Sequence, residues 1–274
     1  MQNLNNSVKS KGVVVFAFNT QVDYVGIADQ TSRLMAHNLQ LPVTLITDHA
    51  ADPKFSYDQV IRVDPQGATY RTEDASIEWR NFGRYLAYEL SPYDETILLD
   101  TDYLVLDDSL LKLFETQWNY KLMHHNTDVN GPSYEMMGNT SLPFVWATVV
   151  LFRKTPCAEL LFHLVGKIQR NYNYYRMLYN IREGNYRNDY AFAIANVILS
   201  GYNVNETQGI PWNMFTINDK IERMALVDNQ VRVYHEDNAV VLPRQNIHIM
   251  DKQYLLTDNF AELVNTICGN NNEK

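Results

Sequence analysis

The hydrophobic pattern in the first part of this chain is typical of strands that alternate with helices. Apolar runs at residues 13–18 and 97–99 predict buried strands, because strands covered on both faces are largely apolar, and a further strand is predicted at residues 43–47, directly after Pro42. Between them, residues 24–39 and 77–90 carry apolar side chains at helical spacing, which predicts two helices. This alternation predicts an α/β fold with a mostly parallel central sheet flanked by helices.

The pattern continues through the rest of the chain. An apolar run at residues 144–152 predicts a strand, and helices are expected at residues 156–170 and 190–199. The segment 126–143 is rich in Asn, Gly, Ser and Pro, and it predicts a loop that could act as a lid. Shorter elements are expected at residues 60–63 (strand), 107–114 (helix), 232–234, 239–242 and 246–250 (strands) and 261–267 (helix).

The size of the chain fits one large domain. Hydrophobic residues make up 46% of the 274 positions, which is enough for a sizeable core, and neither a repeat nor a linker divides the sequence. We therefore expect a single domain at residues 12–267, with tails at residues 1–11 and 268–274.

Charge and cysteine content narrow the classes of function. A net charge of −9 argues against a general binder of polyanions, which would be basic. Cys157 and Cys268 form neither a disulfide framework nor a metal-binding spacing, which favours a reducing compartment such as the cytoplasm. No apolar run reaches transmembrane length, and residues 1–11 lack the apolar stretch of a signal peptide, so we expect no membrane partner.

Two carboxylates mark the end of the third predicted strand. Asp100 and Asp102 are one residue apart, so on extended chain their side chains would point the same way. Carboxylates this close repel each other unless a cation lies between them, and Mn²⁺ or Mg²⁺ takes oxygen ligands together with substrate phosphates. Open α/β sheets bind ligands at this edge. An ordinary turn is the alternative, because Asp also favours turns.

With these features, the chain resembles nucleotide-sugar-dependent glycosyltransferases of the GT-A (Rossmann-like) fold, and most closely their glycogenin-like retaining branch. In that family an Asp-x-Asp (DxD) motif ends a central strand and binds the manganese that holds the diphosphate of a UDP-sugar. The resemblance implies that Asp100 and Asp102 are metal ligands and that Thr101 lies at the donor site. It implies His248 as a third metal ligand, because a late His has that role in the family.

The resemblance also implies residues around the donor and the reacting carbon. The family holds uracil and ribose with a segment after the first strand, which here corresponds to Phe18, Thr20, Gln21 and Tyr24. Arg84, with Arg80 one turn earlier on the predicted helix, is expected near the phosphates, and Lys252 is a further phosphate candidate. Asn188 and Asp189 correspond to the family's Asp-Gln-Asp stretch near the anomeric carbon, and they are the predicted catalytic residues.

Two departures from the family bear on the sugar contacts. Trp146-Ala147-Thr148 stands where the family carries Asn-Ser-Gly or Asn-Ala-Gly, and Trp146 could belong to the core or stack on a sugar. Arg187 replaces the first residue of the Asp-Gln-Asp stretch. No general base stands out, and the resemblance implies that the departing phosphate could serve as base in a retaining reaction.

The expected function is transfer of a hexosyl or pentosyl group from a nucleoside diphosphate, a UDP-sugar above all, to a hydroxyl group. The acceptor could be a saccharide, a protein or DNA. A nucleotidyltransferase would need a Gly-rich phosphate loop, and residues 19–24 contain no Gly. A catalytically silent relative that binds a sugar or a partner is another alternative. His124 and His125 are a rival metal pair, but adjacent strand residues point in opposite directions.

The segment 171–190 supports a separate alternative, because Tyr and Arg alternate along it. Aromatic rings beside cations can form a platform for single-stranded DNA or a flipped base. This would suit a phage-type glycosyltransferase that modifies hydroxymethylated cytosine in the host cytoplasm. The competing interpretations are Tyr side chains on the core side of a helix pair, or a homodimer interface enriched in Tyr and Arg.

Overall fold

A six-stranded sheet forms the centre of the fold in the computed structural model, which describes residues 9–71, 76–129, 131, 136–137, 140, 142–203, 208–235 and 238–269. The strands are β1 (Lys11–Phe16), β2 (Val43–Thr47), β3 (Gln59–Arg62), β4 (Ala68–Arg71), β5 (Ser76–Trp79), β6 (Glu95–Leu99), β7 (Tyr103–Leu104), β8 (Tyr120–Met123), β9 (Asn126–Asp128), β10 (Trp146–Arg153), β11 (Met214–Ile217), β12 (Arg223–Val227), β13 (Gln230–His235), β14 (Asn238–Pro243) and β15 (Ile247–Ile249). The helices are α1 (Tyr24–Leu39), α2 (Ala87–Leu90), α3 (Pro156–Arg170), α4 (Tyr172–Leu178), α5 (Asn188–Leu199) and α6 (Asp258–Gly269). Short 3-10 helices lie at Phe82–Leu86, Ser109–Glu115 and Tyr254–Leu256.

The central sheet is mostly parallel, which confirms the predicted fold class. Its strand order is β3-β2-β1-β6-β10-β8, and β3, β2, β1 and β6 are mutually parallel. Only β10 runs against its two neighbours. The chain moves outwards from β1 through β2 to β3 and then returns to place β6 on the other side of β1. The strand order therefore reverses between β1 and β6, and α/β sheets bind ligands outside such a reversal.

Alternate residues of the central strands pack into layers of helices on the two faces of the sheet. Val13 and Val15 of β1 belong to the apolar cluster that includes residues of α1. Val14 and Phe16, which point the other way, belong to the cluster formed with α3 and α5. Both faces of β1 are therefore covered by apolar side chains, which explains the unbroken apolar run that begins at Val13.

A second sheet continues from the end of β6. Its order is β7-β15-β11-β9, with β9, β11 and β15 parallel and β7 antiparallel to β15. Because β7 begins directly after the Asp100–Asp102 segment, this sheet is joined to the central sheet at that segment. A three-stranded sheet, β12-β13-β14, and the hairpin β4-β5 complete the topology.

The predictions from local spacing succeed where the element is a long helix. The predicted helices at 24–39 and 156–170 have the bounds of α1 and α3. Asp23 caps α1 by accepting a hydrogen bond from the Gly26 amide, and Thr155 caps α3 in the same way from the Ala158 amide.

The single helix predicted at residues 77–90 is wrong. Residues up to Trp79 form β5, which pairs with β4, and the chain then enters a 3-10 helix before α2. Pairing with β4 prevails over the helical spacing, since tertiary contacts commonly override local propensity. Arg80 and Arg84 therefore do not lie on one helical face.

Two further elements differ from the prediction. The predicted loop at residues 126–143 begins with a strand, β9, whose Asn126 and Asp128 are buried. Residues 130, 132–135, 138–139 and 141 of the predicted lid lie outside the described residues. The helix predicted at residues 107–114 is a 3-10 helix at Ser109–Glu115. Across the part of the chain that the structure describes, every helix is too short or too polar to span a bilayer.

Candidate functional site

The predicted site residues converge on one pocket at the carboxyl ends of β1 and β6. Those that line it are Phe18, Thr20, Tyr24, Arg80, Arg84, Asp100, Thr101, Asp102, Asn188, Asp189, His248 and Lys252. Gln21 is exposed and does not line the pocket. The structure thus brings together residues from both ends of the chain, at the edge where the strand order reverses.

Asp100 and Asp102 lie on a turn rather than on extended chain, which corrects the geometry assumed from the sequence. The amide of Tyr103 donates to the carbonyl of Asp100 at 3.3 Å, and the amide of Asp100 donates to the carbonyl of Thr148 at 3.0 Å. The turn then enters β7, where Tyr103 pairs with His248 of β15. The Ile249 amide also donates to the carbonyl of Asp102 at 2.9 Å. Backbone pairing therefore brings His248 beside Asp102.

Arg84 forms a hydrogen-bonded ion pair with Asp100 at the pocket. Its Nη1 donates to Oδ1 of Asp100 at 2.5 Å and its Nη2 donates to the carbonyl of Ala147 at 2.6 Å. The Arg84 side chain is only 1% exposed, whereas that of Asp100 keeps 29% of its surface. Burial raises the pKa of Asp100, and Arg84 opposes that rise. Arg84 therefore orients a carboxylate rather than standing free in the pocket.

Asp102 is surrounded by two basic side chains. Lys252 Nζ contacts its Oδ2, and Nε2 of His248 lies 3.5 Å from its Oδ1. Burial alone would raise the pKa of Asp102, but Lys252 and His248 hold it well below its usual range. Asp102 is therefore ionised at neutral pH.

The chemistry of this donor set fits a hard divalent cation. Among the described residues, no group of three or more His, Cys, Asp or Glu side chains is arranged so that it could hold a metal ion. However, Oδ1 of Asp102 is buried and has no hydrogen-bond partner within the described part of the chain. A cation beside Asp100, Asp102 and His248 would use this acceptor, since Mn²⁺ and Mg²⁺ favour carboxylate oxygens and Mn²⁺ also accepts imidazole.

Both carboxylate oxygens of Asp189 accept hydrogen bonds from the protein. Oδ1 accepts from the Ala147 amide at 2.9 Å, and Oδ2 accepts from Nη2 and Nε of Arg187 at 2.7 and 3.0 Å. Asn188 accepts from the Tyr186 hydroxyl at 2.9 Å and donates to the carbonyl of Asn81 at 3.2 Å. Both predicted catalytic side chains are therefore held rigidly at the start of α5.

Several lining residues were not predicted from the sequence. These are Phe16, Glu78, Trp79, Asn81 and Met250, whereas Trp146, Ala147, Thr148 and Arg187 line the pocket at positions that the family resemblance had already marked. Glu78, Trp79 and Asn81 reach the pocket because β5 replaces the predicted helix, and Glu78 pairs there with Arg80 at 2.9 Å. Nothing in the local sequence indicated this hairpin.

Four of the eight buried polar atoms that lack a hydrogen-bond partner in the described part of the chain belong to side chains lining this pocket. Asn81 Oδ1, Arg84 Nε, Asp102 Oδ1 and Trp146 Nε1 are buried without a hydrogen-bond partner among the described residues. All four belong to side chains that line the pocket. Buried polar groups in proteins are nearly always paired, so four such atoms within one pocket favour a site that is completed by a ligand.

The rival sequence features lie elsewhere. His124 Nδ1 lies 3.0 Å from the Phe144 carbonyl, and His125 is exposed. Neither lines the pocket. In the segment rich in Tyr and Arg, the buried rings are Tyr172, Tyr175, Tyr186 and Tyr190. These rings pack in the core as the helix-pair interpretation expects, which leaves few aromatic faces for stacked bases.

Tyr24 gives the site a testable pH dependence. Burial raises its pKa from 10.0 to about 12, and the nearby Asp102 and Asp100 add to the rise. A raised folded-state pKa stabilises the fold fully below about pH 10, and this contribution is lost as pH rises from about 10 through about 12. We expect wild type to lose of the order of 1 kcal/mol relative to Tyr24→Phe in that window, by urea unfolding. A difference that stays constant with pH would contradict this assignment.

Comparison with known proteins yields distant likenesses only. No protein-family model matches the sequence, and no curated protein matches it either. Among solved structures, the glycosyltransferase GlyE of Streptococcus pneumoniae TIGR4 is similar over 73% of this chain and 44% of its own, with 16% identity and a TM-score of 0.40. The galactosyltransferase LgtC in complex with donor and acceptor sugar analogues is similar over 68% of this chain and 70% of its own, with 15% identity and a TM-score of 0.46. The bifunctional glycosyltransferase WbbM is similar over 59% of this chain and 35% of its own, with 11% identity and a TM-score of 0.36.

These similarities leave the family open. The chain spans less than half the length of GlyE, at 44%, and all three TM-scores lie below 0.5. The similar structures are glycosyltransferases, but the functional proposal rests on the pocket itself.

Proposed function

We propose that this protein is a metal-dependent glycosyltransferase that moves a sugar from a nucleoside diphosphate, a UDP-sugar above all, to an acceptor hydroxyl. The observation that carries the proposal is the convergence of Asp100, Asp102, His248 and Lys252 on one pocket at the reversal of the strand order. A site that pairs acidic metal ligands with cations suits a substrate that carries a diphosphate.

The lining of the pocket suits both the nucleoside and the phosphate part of such a donor. Phe18, Thr20 and Tyr24 follow β1 and present rings and a hydroxyl, which suit a base and a ribose. Arg187 also lines the pocket and forms an ion pair with Asp189, and 40% of its side chain is exposed. A phosphate or sugar oxygen could therefore accept from it.

Departure of the diphosphate builds negative charge that the site must offset. Asp100, Asp102 and His248 would hold a divalent ion, which acts as a Lewis acid on the diphosphate oxygens. Lys252 contacts Asp102 and would donate to a phosphate oxygen once the carboxylate binds the metal. Arg84 keeps Asp100 oriented through its hydrogen bond. We propose these as the groups that stabilise the leaving diphosphate.

Asp189 would orient the sugar rather than attack it. Its two oxygens already accept from Ala147 and Arg187, so its remaining acceptor capacity suits hydroxyl groups of the sugar. Asn188 is held by Tyr186 and Asn81 and would add an amide beside it. The proposal includes retention of anomeric configuration, which follows only from the family resemblance, and it leaves the acceptor open.

A turnover screen tests the proposal. The full chain is incubated with a panel of nucleotide sugars, with Mn²⁺ or with EDTA, and release of the nucleoside diphosphate is followed. We expect slow donor hydrolysis by one UDP-sugar with Mn²⁺ and none with EDTA, because water can replace the missing acceptor. Release that is equal with EDTA would contradict metal dependence. No release from any donor, and no binding of any nucleotide, would contradict glycosyl transfer.

A further inference from the structure

Two buried polar side chains of the second sheet, Thr216 and Asn126, form a row of hydrogen bonds that starts at His248. Thr216 of β11 is the in-register neighbour of His248 on β15, and Asn126 lies on the next strand, β9. His248, Thr216 and Asn126 are 4%, 1% and 4% exposed. Polar groups this deeply buried need partners, and here they serve one another.

With the amide oxygen of Asn126 facing Thr216, the hydrogen bonds of this row run in one direction. Thr216 Oγ1 lies 2.6 Å from Oδ1 of Asn126 and 3.2 Å from Nδ1 of His248. The hydroxyl has a single proton and the amide oxygen can only accept, so Thr216 donates to Asn126. Oγ1 must then accept from His248, which puts the imidazole proton on Nδ1. In the neutral ring, Nε2 therefore carries a lone pair.

That lone pair faces the pocket. Nε2 of His248 lies 3.5 Å from Oδ1 of Asp102, which is itself an acceptor without a hydrogen-bond partner among the described residues. A protonated His248 would donate from Nε2 to Asp102, whereas the neutral ring with its proton on Nδ1 presents a lone pair that a divalent cation could bind together with Oδ1 of Asp102. The row behind His248 thus favours the form of the ring that can bind a metal.

We propose that Thr216 and Asn126 are positioning residues that fix His248 in the Nδ1–H form and so leave Nε2 free for the divalent cation. This inference rests on the proposed metal-dependent function. Outer partners of metal-bound histidines typically change metal affinity by about 10–100-fold when they are removed.

Thr216→Val tests the metal side of the proposal, because it removes the hydroxyl while keeping the side-chain volume. Mn²⁺ alone is titrated into the full chain and free Mn²⁺ is followed by electron paramagnetic resonance. We expect binding to weaken by about 10–100-fold in Thr216→Val and to recover in Thr216→Ser. Thr44→Val is the matched control, since Thr44 is a buried strand residue bonded to Tyr93 and does not line the pocket. Its Mn²⁺ affinity should match wild type.

The tautomer is read directly by nitrogen-15 NMR of the imidazole at pH 8.5 without metal, where an ordinary imidazole is neutral. We expect the Nδ1–H form in wild type. Asn126→Ala frees the Thr216 proton to point at Nδ1, so the Nε2–H form should appear there and in Thr216→Val. This readout does not depend on any loss of stability in the variants.

The outcomes separate the inference from the function on which it rests. If wild type binds Mn²⁺ and Thr216→Val binds it equally with an unchanged tautomer, the positioning role is overturned. If wild type binds no Mn²⁺, the metal-dependent function is overturned, and the NMR spectra alone decide whether the row fixes the tautomer.

Discussion

Asp102→Asn is expected to lower the affinity of the protein for Mn²⁺ and UDP together by about 10³-fold. The substitution keeps the shape of the side chain but removes the negative charge that Lys252 and His248 hold in the ionised state. A metal ligand of this kind is worth several kcal/mol, and about 1.4 kcal/mol corresponds to a factor of ten. Isothermal titration of UDP in the presence of Mn²⁺ measures the change, and donor hydrolysis should fall in parallel.

Asp29→Asn provides the matched control. Asp29 is buried to nearly the same degree as Asp102, at 8% against 7% exposure, but it accepts from the Lys54 amide and does not line the pocket. We expect Asp29→Asn to change stability and to leave UDP affinity intact. Equal affinity in Asp102→Asn and wild type would show that Asp102 is an ordinary turn residue.

Arg84→Met is expected to destabilise the fold and to weaken donor binding at the same time. It removes the hydrogen bonds to Asp100 and to the Ala147 carbonyl, and it leaves the Asp100 carboxylate without its cation. Breaking a buried ion pair from one side costs about 3–5 kcal/mol, and the 29% exposure of Asp100 favours the lower end of that range. The midpoint temperature of thermal unfolding, Tm, should therefore fall by about 6–12 °C. UDP affinity should fall by about 10–100-fold, because Asp100 loses its orientation.

Arg153→Met separates the two effects. Arg153 pairs with Glu95 at 2.7 Å and donates to three backbone carbonyls at the opposite end of the same sheet. It is 7% exposed and lies outside the pocket. We expect a comparable loss of stability with unchanged UDP affinity. If both variants weaken UDP binding equally, the effect of Arg84 reflects general stability and not the orientation of Asp100.

Local sequence was sufficient where an element depends on its own spacing and ends. The bounds of α1 followed from its apolar stripe and from the Pro42 that opens the next strand. The strand before Asp100 followed from three apolar residues that are all fully buried in β6. Both features are legible without knowledge of the rest of the chain.

Sequence reasoning failed where a distant partner decides. Trp79 fits a helical stripe, yet it pairs with Ala68 across a hairpin. That pairing brings Glu78 and Asn81 to the pocket, and no local pattern predicts it. The role of Thr216 was equally hidden, because its contact with His248 exists only through the register of β11 and β15.

The ion pairs within the site could not be predicted from the sequence either. Arg84 and Lys252 were expected at the phosphates, but their contacts are to Asp100 and Asp102. These contacts depend on how the 3-10 helix at Phe82–Leu86, the turn at residues 100–102 and the segment after β15 pack together. A sequence motif does not contain that information. The family resemblance identified the residues of the site, and the structure shows which of them form ion pairs with one another.

Thermal unfolding of wild type with UDP, with and without Mn²⁺, tests the central claim most directly. At ligand concentrations about 100 times the dissociation constant, binding adds about 2.7 kcal/mol to stability. We predict a rise of about 5 °C with UDP and Mn²⁺ together, a smaller rise with Mn²⁺ alone, and little change with UDP alone or with UDP and EDTA. If no nucleotide raises the unfolding temperature, with or without metal, the pocket is not a nucleotide-sugar site and the proposed function is wrong.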